Sequence, residues 1–241
     1  MNDRSRVVRD NAVVIRTYKL GEADRIVVVL TRQRGKIRAV AKGVRRTRSK
    51  FGARLEPGSH VDAQFYVGRG QLETVTQVEA VEHHDALRTD LDRLHAATTV
   101  LEVADLLSLE HHRDTELFEM VTGALRTLAR HDSPLVLAGF LWKALAHAGF
   151  APIVDACVAC GSSGPLVSFD VEGGGTRCEA HRVGVAIDAQ TLDVLAAILS
   201  GRLATVMDTT PAAVSSTVER LGVTAVEHHV ERRLRSVAPS G

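Results

Sequence analysis

Much of what would mark a familiar enzyme or a membrane protein is missing from this 241-residue chain. The longest uninterrupted aliphatic run near the N-terminus is Ile26 to Leu30. That is too short for a membrane span, and the polar start MNDRSRVVRDN has no export-signal core. The expectation is a globular, cytoplasmic protein whose thiols stay reduced. Cysteines number three, an odd count that argues against a closed disulfide framework. No Walker loop, GxGxxG, GxSxG or paired-carboxylate motif occurs, and the glycines at 68–70 and 173–175 read as turn residues. The chain is therefore not expected to be an enzyme. No repeat or low-complexity tract is visible.

Charge is present but unevenly distributed. The net value of +1 hides 17 Lys or Arg against 6 Asp or Glu in residues 1–70, and 13 against 23 in residues 71–241. A head at +11 followed by a body at −10 suggests a polyanion-binding module attached to a neutralising partner. The alternative is a basic face that is merely solvated.

Segments 12–18, 24–31, 36–42, 60–67 and 71–81 are rich in Val, Ile, Thr and aromatics and are separated by glycine-containing turns. Five short strands in this space predict a five-stranded OB-fold barrel over residues 1–82. In the third segment Ile37, Ala39 and Ala41 share one face, with Lys36, Arg38 and Lys42 beside Val40 on the other. The following connection, GVRRTRSKFGARLEPGS, carries Arg45, Arg46, Arg48, Lys50 and Arg54 and no acid before Glu56. Phosphate backbone is the anion such a run fits. Arg45, Arg46, Arg48 and Lys50 are the first choice for phosphate contacts, and Lys36, Arg38, Lys42 and Arg54 the second. The only aromatics in this region are Tyr18, Phe51, Phe65 and Tyr66, the last two on opposite strand faces. Few bases can stack there, so binding should be mainly electrostatic and blind to sequence.

Past Glu82 the apolar period changes to about 3.6. Leu87, Leu91, Leu94, Leu101, Ala104 and Leu107 form one stripe, and Leu117, Val121, Leu125 and Leu128 another. Ser133 with Pro134 reads as a helix start, Gly149 as a stop, and Asp188 as an N-cap. Helix is expected again from Pro211 to Arg220 and through VTAVEHHVERRLRSV. The whole is an α+β, two-domain chain: the barrel, then a helical domain over 83–241 with an insert at 157–181. That insert holds every cysteine. Cys157-x2-Cys160 and Cys178-x2-His181 form two chelating pairs across a glycine-rich hairpin, the pattern of a structural zinc site. Four protein ligands leave no open position for water, which argues for structure over catalysis. A redox pair would want a βαβ setting, and a zinc deaminase would want an upstream His-x-Glu. The pairs His83-His84, His111-His112 and His228-His229 read as solvated helix-end residues, because neighbours on a helix diverge by about 100°.

In combination, AKGVRRTRSKFGARLEPGSHV, the CxxC and CxxH insert and the terminal HHVERRLRS resemble the bacterial recombination mediator family RecO, in the same order over nearly the whole chain. The resemblance implies an OB-fold followed by a helical domain with a zinc finger, although some members lack the four-ligand pattern and this chain offers His181 where others offer Cys. It also implies binding of single- and double-stranded DNA, annealing of complementary strands, and partnership with RecR. A further implication is help in placing RecA on strands covered by single-strand-binding protein, in the cytoplasm near the nucleoid. From the residues alone, an OB-fold RNA-binding accessory and a protein-interaction scaffold remain open.

Overall fold

The computed structural model describes residues 7–82 and 84–237. The chain divides into two compact units, residues 1–129 and 130–241.

Five strands build the first unit: β1 (Val7–Leu20), β2 (Asp24–Thr31), β3 (Gly35–Ala41), β4 (His60–Tyr66) and β5 (Glu73–Glu82). They close in the order β1-β2-β3-β5-β4, antiparallel except for the β3–β5 pair. This is the OB-fold barrel that the spacing of turns predicts. Alternation fills it: Ala12, Val14, Val27, Val29, Ile37, Ala39, Ala41, Val61, Ala63 and Phe65 all point into one core with Val75 and Val78. Phe51 and Leu55, from the basic connection, plug that core at 1% and 2% exposure. The connection is therefore pinned at its middle, and its cationic side chains face water.

Three helices complete the unit: α1 (Ala86–Thr89), α2 (Leu91–Leu107) and α3 (Thr115–Leu128). Asp90 and Asp114 cap the latter two by accepting from the Arg93 and Leu117 amides. The helices are tied to the barrel by ion pairs, Arg16 and Lys36 to Asp105, Arg32 to Glu119 and Arg126 to Glu82. A β3 extension adds to this, with the His111 amide donating to the Lys36 carbonyl at 2.9 Å. Gly35 permits that approach: it sits at φ +69°, and a Cβ there would strike the His112 carbonyl. The acid excess predicted for a separate body is concentrated here. Residues 71–129 carry 12 acids against 4 bases, and the whole unit 21 bases against 18 acids. Of the apolar stripe, Leu87, Leu101 and Ala104 are buried, but Leu91 and Leu94 are 80% and 43% exposed, and Val100 and Val103 take their place inside. The second stripe, Leu117 to Leu128, is buried throughout.

The second unit contains α4 (Leu135–His147), β6 (Leu166–Asp170), β7 (Gly175–Cys178), β8 (Val185–Ala186), α5 (Ala189–Leu199), α6 (Leu203–Val206) and α7 (Ala212–His229). Helix α4 is apolar nearly all round because α5 and α7 pack on it. Trp142 ties it to two neighbours, donating to the Val218 carbonyl at 3.0 Å and meeting Phe169 of β6 edge-on at 5.4 Å. Gly149 ends α4 at φ +91°, with the Phe150 amide closing back on Leu145. Asp188 caps α5 as expected. Ser133 does not cap α4, since its hydroxyl donates to the Met207 carbonyl instead. The end of the chain also departs from expectation. Helix α7 stops at His229, and Glu227 draws the following turn back by accepting from Arg233 and from the Leu234 amide, both at 2.8 Å. The segment ERRLRSV is therefore not helical.

Candidate nucleic-acid interface and metal centre

Ion pairing sorts the cations of the barrel into two groups. Arg9 pairs with Asp62, Arg25 with Glu56, and Arg32 with Glu119. Arg34 is half-buried with its guanidinium over the Phe65 ring, 2.8 Å from Glu73 and 3.7 Å from Asp10, whose carboxyl is pushed up by burial. Among the described residues, no carboxylate lies within ion-pair distance of Lys19, Arg38, Lys42, Arg45, Arg46, Arg48, Lys50, Arg54 or Arg69. All nine are exposed. Seven of the eight cations singled out in the sequence fall in this group. Lys36 does not: its Nζ donates to the Asp105 backbone oxygen at 2.6 Å and to the carboxylate at 3.1 Å, so its charge is spent on α2. Lys19 and Arg69 escaped sequence reasoning because neither belongs to a run of cations.

The basic connection is held in shape by its own side chains. Arg45 donates to the Gly21 and Glu22 carbonyls, Lys50 to the Thr76 carbonyl, and Arg54 to the Lys50 carbonyl at 3.1 Å. Each contact uses carbonyl oxygens and leaves the charge uncompensated. Arg46 and Arg48 make no side-chain hydrogen bond among the described residues. The surface can thus meet a polyanion without first breaking ion pairs.

The histidine pairs meet the expectation in part: His228 is exposed in the last turn of α7, and His111 and His112 are exposed but not on a helix. His83 lies outside the described residues. The His84 side chain is 7% exposed and 3.7 Å from Glu82, not solvated. His111 sits in the β3 extension at φ +58°. His229 ends α7 with its ring 3.5 Å from that of Phe150. His60, which no motif pointed to, is buried against Phe118 with Nδ1 3.4 Å from Glu82.

The four residues of the predicted metal site come together in the second unit. Ligand atoms of Cys157, Cys160, Cys178 and His181 all lie within 4.8 Å of one another. Cys160 Sγ is 3.8 Å from Cys178 Sγ, which is 3.4 Å from His181 Nδ1. Gly161, at φ +73°, turns the first knuckle so that its amide reaches the Cys157 carbonyl at 2.8 Å. The second pair leaves β7 through a single turn at Glu179–His181. Backbone donors, first that of Cys178 and then those of Ala159 and Cys160, bring the Cys157 thiol down to about 6. A thiolate is the ligating form, so this cluster can bind a metal ion.

Comparison with known proteins agrees with this geometry. The model of "Recombination protein O N terminal" matches residues 5–84 and that of "Recombination protein O C terminal" residues 88–238. Their junction falls where the apolar period changes, whereas the compact units part at 129/130. Proteins named DNA repair protein RecO from Streptomyces avermitilis and Streptomyces coelicolor are each 45% identical over 95% of this chain and 96% of their own length. That of Streptomyces griseus is 44% identical over the same shares. No helix among the described residues is long and apolar enough to cross a membrane. A closed five-stranded barrel, a helical domain bearing a Cys3His cluster and this degree of identity along the chain place it in the RecO family of DNA repair proteins.

Proposed function

We propose that the protein binds single- and double-stranded DNA through the unpaired cations of the barrel and anneals complementary strands. Working with RecR, it would then help place RecA on strands covered by single-strand-binding protein, in the cytoplasm. The observation that carries the reading is the group of exposed cations around residues 42–54 with no carboxylate within ion-pair distance among the described residues. Two strands repel each other, and a surface that screens both lowers the barrier to their meeting. No catalytic residue is needed for that step, and the protein acts without being an enzyme. The roles of RecR, RecA and single-strand-binding protein rest on family membership.

The metal is zinc and its role structural. A Zn–S bond of about 2.3 Å and tetrahedral angles set neighbouring sulfurs about 3.8 Å apart. The Cys160–Cys178 separation of 3.8 Å has that length. When bound, the ion would cross-link the Cys157 knuckle to the end of β7.

Titration of single-stranded DNA, duplex DNA and RNA of several sequences across a range of salt tests the reading. Tight, salt-steep, sequence-blind binding of both DNA forms is expected. Preference for RNA, or no retention of DNA at moderate salt, would refute it.

A further inference from the structure

A cleft of about 320 Å³ opens in the first unit beside the basic connection, between the turn at Gly52–Leu55, the start of β4, and α1 with α2. Its walls include Phe51, Val61, Leu87 and Leu101, all buried, and Leu94 stands 43% exposed at the mouth. His60 lines it at 6% exposure, and its Nε2 is buried with no hydrogen-bond partner among the described residues. Arg54 and Arg88 reach its rim, each exposed and outside any ion pair among the described residues. Of the acids that line it, Glu82 is held by Arg126 at 2.7 Å, and Asp85 has no such partner among the described residues.

We infer that this cleft takes one unstacked nucleobase of single-stranded DNA whose phosphates lie along Arg46, Arg48 and Arg54. The inference rests on the reading of the basic connection as a phosphate-binding surface. A nucleobase has two apolar faces and a polar edge, and its phosphate lies within a side chain's reach of it. Apolar walls, one unused imidazole nitrogen and an arginine at the lip match those three parts in turn. Burial lowers the His60 pKa, so the ring stays neutral; with Nδ1–H donating to the Glu82 carboxylate at 3.4 Å, Nε2 is left as an acceptor, suited to an amine on a base edge. The volume lies at the lower end of the range for small-molecule sites, enough for one base. Continuity with the loop carries the choice of occupant: Phe51 forms a wall and Arg54 a lip, three and six residues beyond Arg48. A base paired within a duplex cannot enter, so the cleft would favour single strands on a surface that otherwise treats both forms alike.

The test uses the full chain, an oligoadenylate carrying one 2-aminopurine, and the matching duplex. Thr98 is exposed, lines the cleft, and among the described residues its hydroxyl bonds only to the Leu94 carbonyl of its own helix, so Thr98→Trp fills the space from the rim. Wild-type protein should raise the 2-aminopurine emission as the base leaves its stack. In Thr98→Trp the rise should vanish and single-strand affinity fall about tenfold, as loss of one base contact implies. Duplex affinity, salt slope and melting temperature should stay unchanged. Leu94→Glu should act in the same direction and guards against a folding defect peculiar to the first variant. Undiminished emission and affinity in both variants would overturn the inference, as would equal loss on single strands and duplex. Unaltered DNA binding combined with loss of a labelled acidic, leucine-containing peptide would overturn it in favour of a peptide occupant. If wild-type protein bound neither DNA form, the phosphate-binding reading would fall as well, a result distinct from the others.

Discussion

Substituting Arg45, Arg46, Arg48 and Lys50 together by Ala removes four exposed charges, none with an acidic partner among the described residues. If each meets one phosphate, the slope of log K against log salt should shallow by about 3.6 on duplex and about 2.8 on single strands, at about 0.9 and 0.7 per contact. A doubling of salt would then weaken the wild type about 12-fold more than the variant on duplex. Arg45 and Lys50 also hold the loop through the Gly21, Glu22 and Thr76 carbonyls, so Arg46→Ala with Arg48→Ala is the cleaner subset, with a change of about 1.8. Affinity should fall equally on every sequence, because backbone contacts carry no base information. Lys36→Ala provides the contrast. Its Nζ is bonded to Asp105 with both side chains less than a fifth exposed, so its loss should cost about 1–3 kcal/mol of stability and leave the slope alone. Fluorescence anisotropy across salt with thermal melts reads both quantities. A slope unchanged in the quadruple variant, or reduced in Lys36→Ala, would refute the division into paired and unpaired cations.

Purified protein should contain about one zinc per chain, and Cys178→Ser should lower the melting temperature and helix signal before DNA affinity. Elemental analysis with melts checks this, and a metal-stripped protein that melts like the wild type would end the structural role. Gly35→Ala should destabilise by more than about 2 kcal/mol in denaturant titration, because a Cβ at φ +69° meets the His112 carbonyl. Stability should fall with acid in two stages. Burial lowers the His60 pKa, so its contribution is present above about 6.5 and is lost below that as the unfolded chain takes the proton first. The Arg126 bond lowers the Glu82 pKa, so its contribution is present above about 4.3 and is lost as pH falls further. His60→Gln should remove the first stage in melts between pH 7.5 and 5. A fragment ending at Ala129 should fold cooperatively, whereas one ending at Glu82 should be β-rich but less soluble, because it lacks the α2 and α3 acids that pair with Arg16, Lys36 and Arg32. Circular dichroism and solubility of the two fragments decide the point.

Local chemistry was enough for much of this protein. Period-two alternation in segments such as KIRAVAK placed Ile37, Ala39 and Ala41 inside the barrel, since one face of each strand must be buried. The Cys157-x2-Cys160 and Cys178-x2-His181 spacing located the metal cluster, because a chelating knuckle is built from adjacent residues and needs only a hairpin to bring two together. Gly149 and Asp188 marked helix ends for the same reason, their partners lying within one turn. Tertiary structure decided what depends on residues far apart in the chain. Lys36 and Arg38 look alike in sequence, and only the arrival of Asp105, 69 residues on, separates a neutralised cation from a free one. Leu94 and Val100 fit a helical stripe equally well, yet the barrel's position buries the second and exposes the first. Membership of α2 and α3 in the barrel's unit, the burial of His60 and the cleft beside it likewise follow from packing across many residues. No local period encodes such contacts, because each depends on which surface another segment covers.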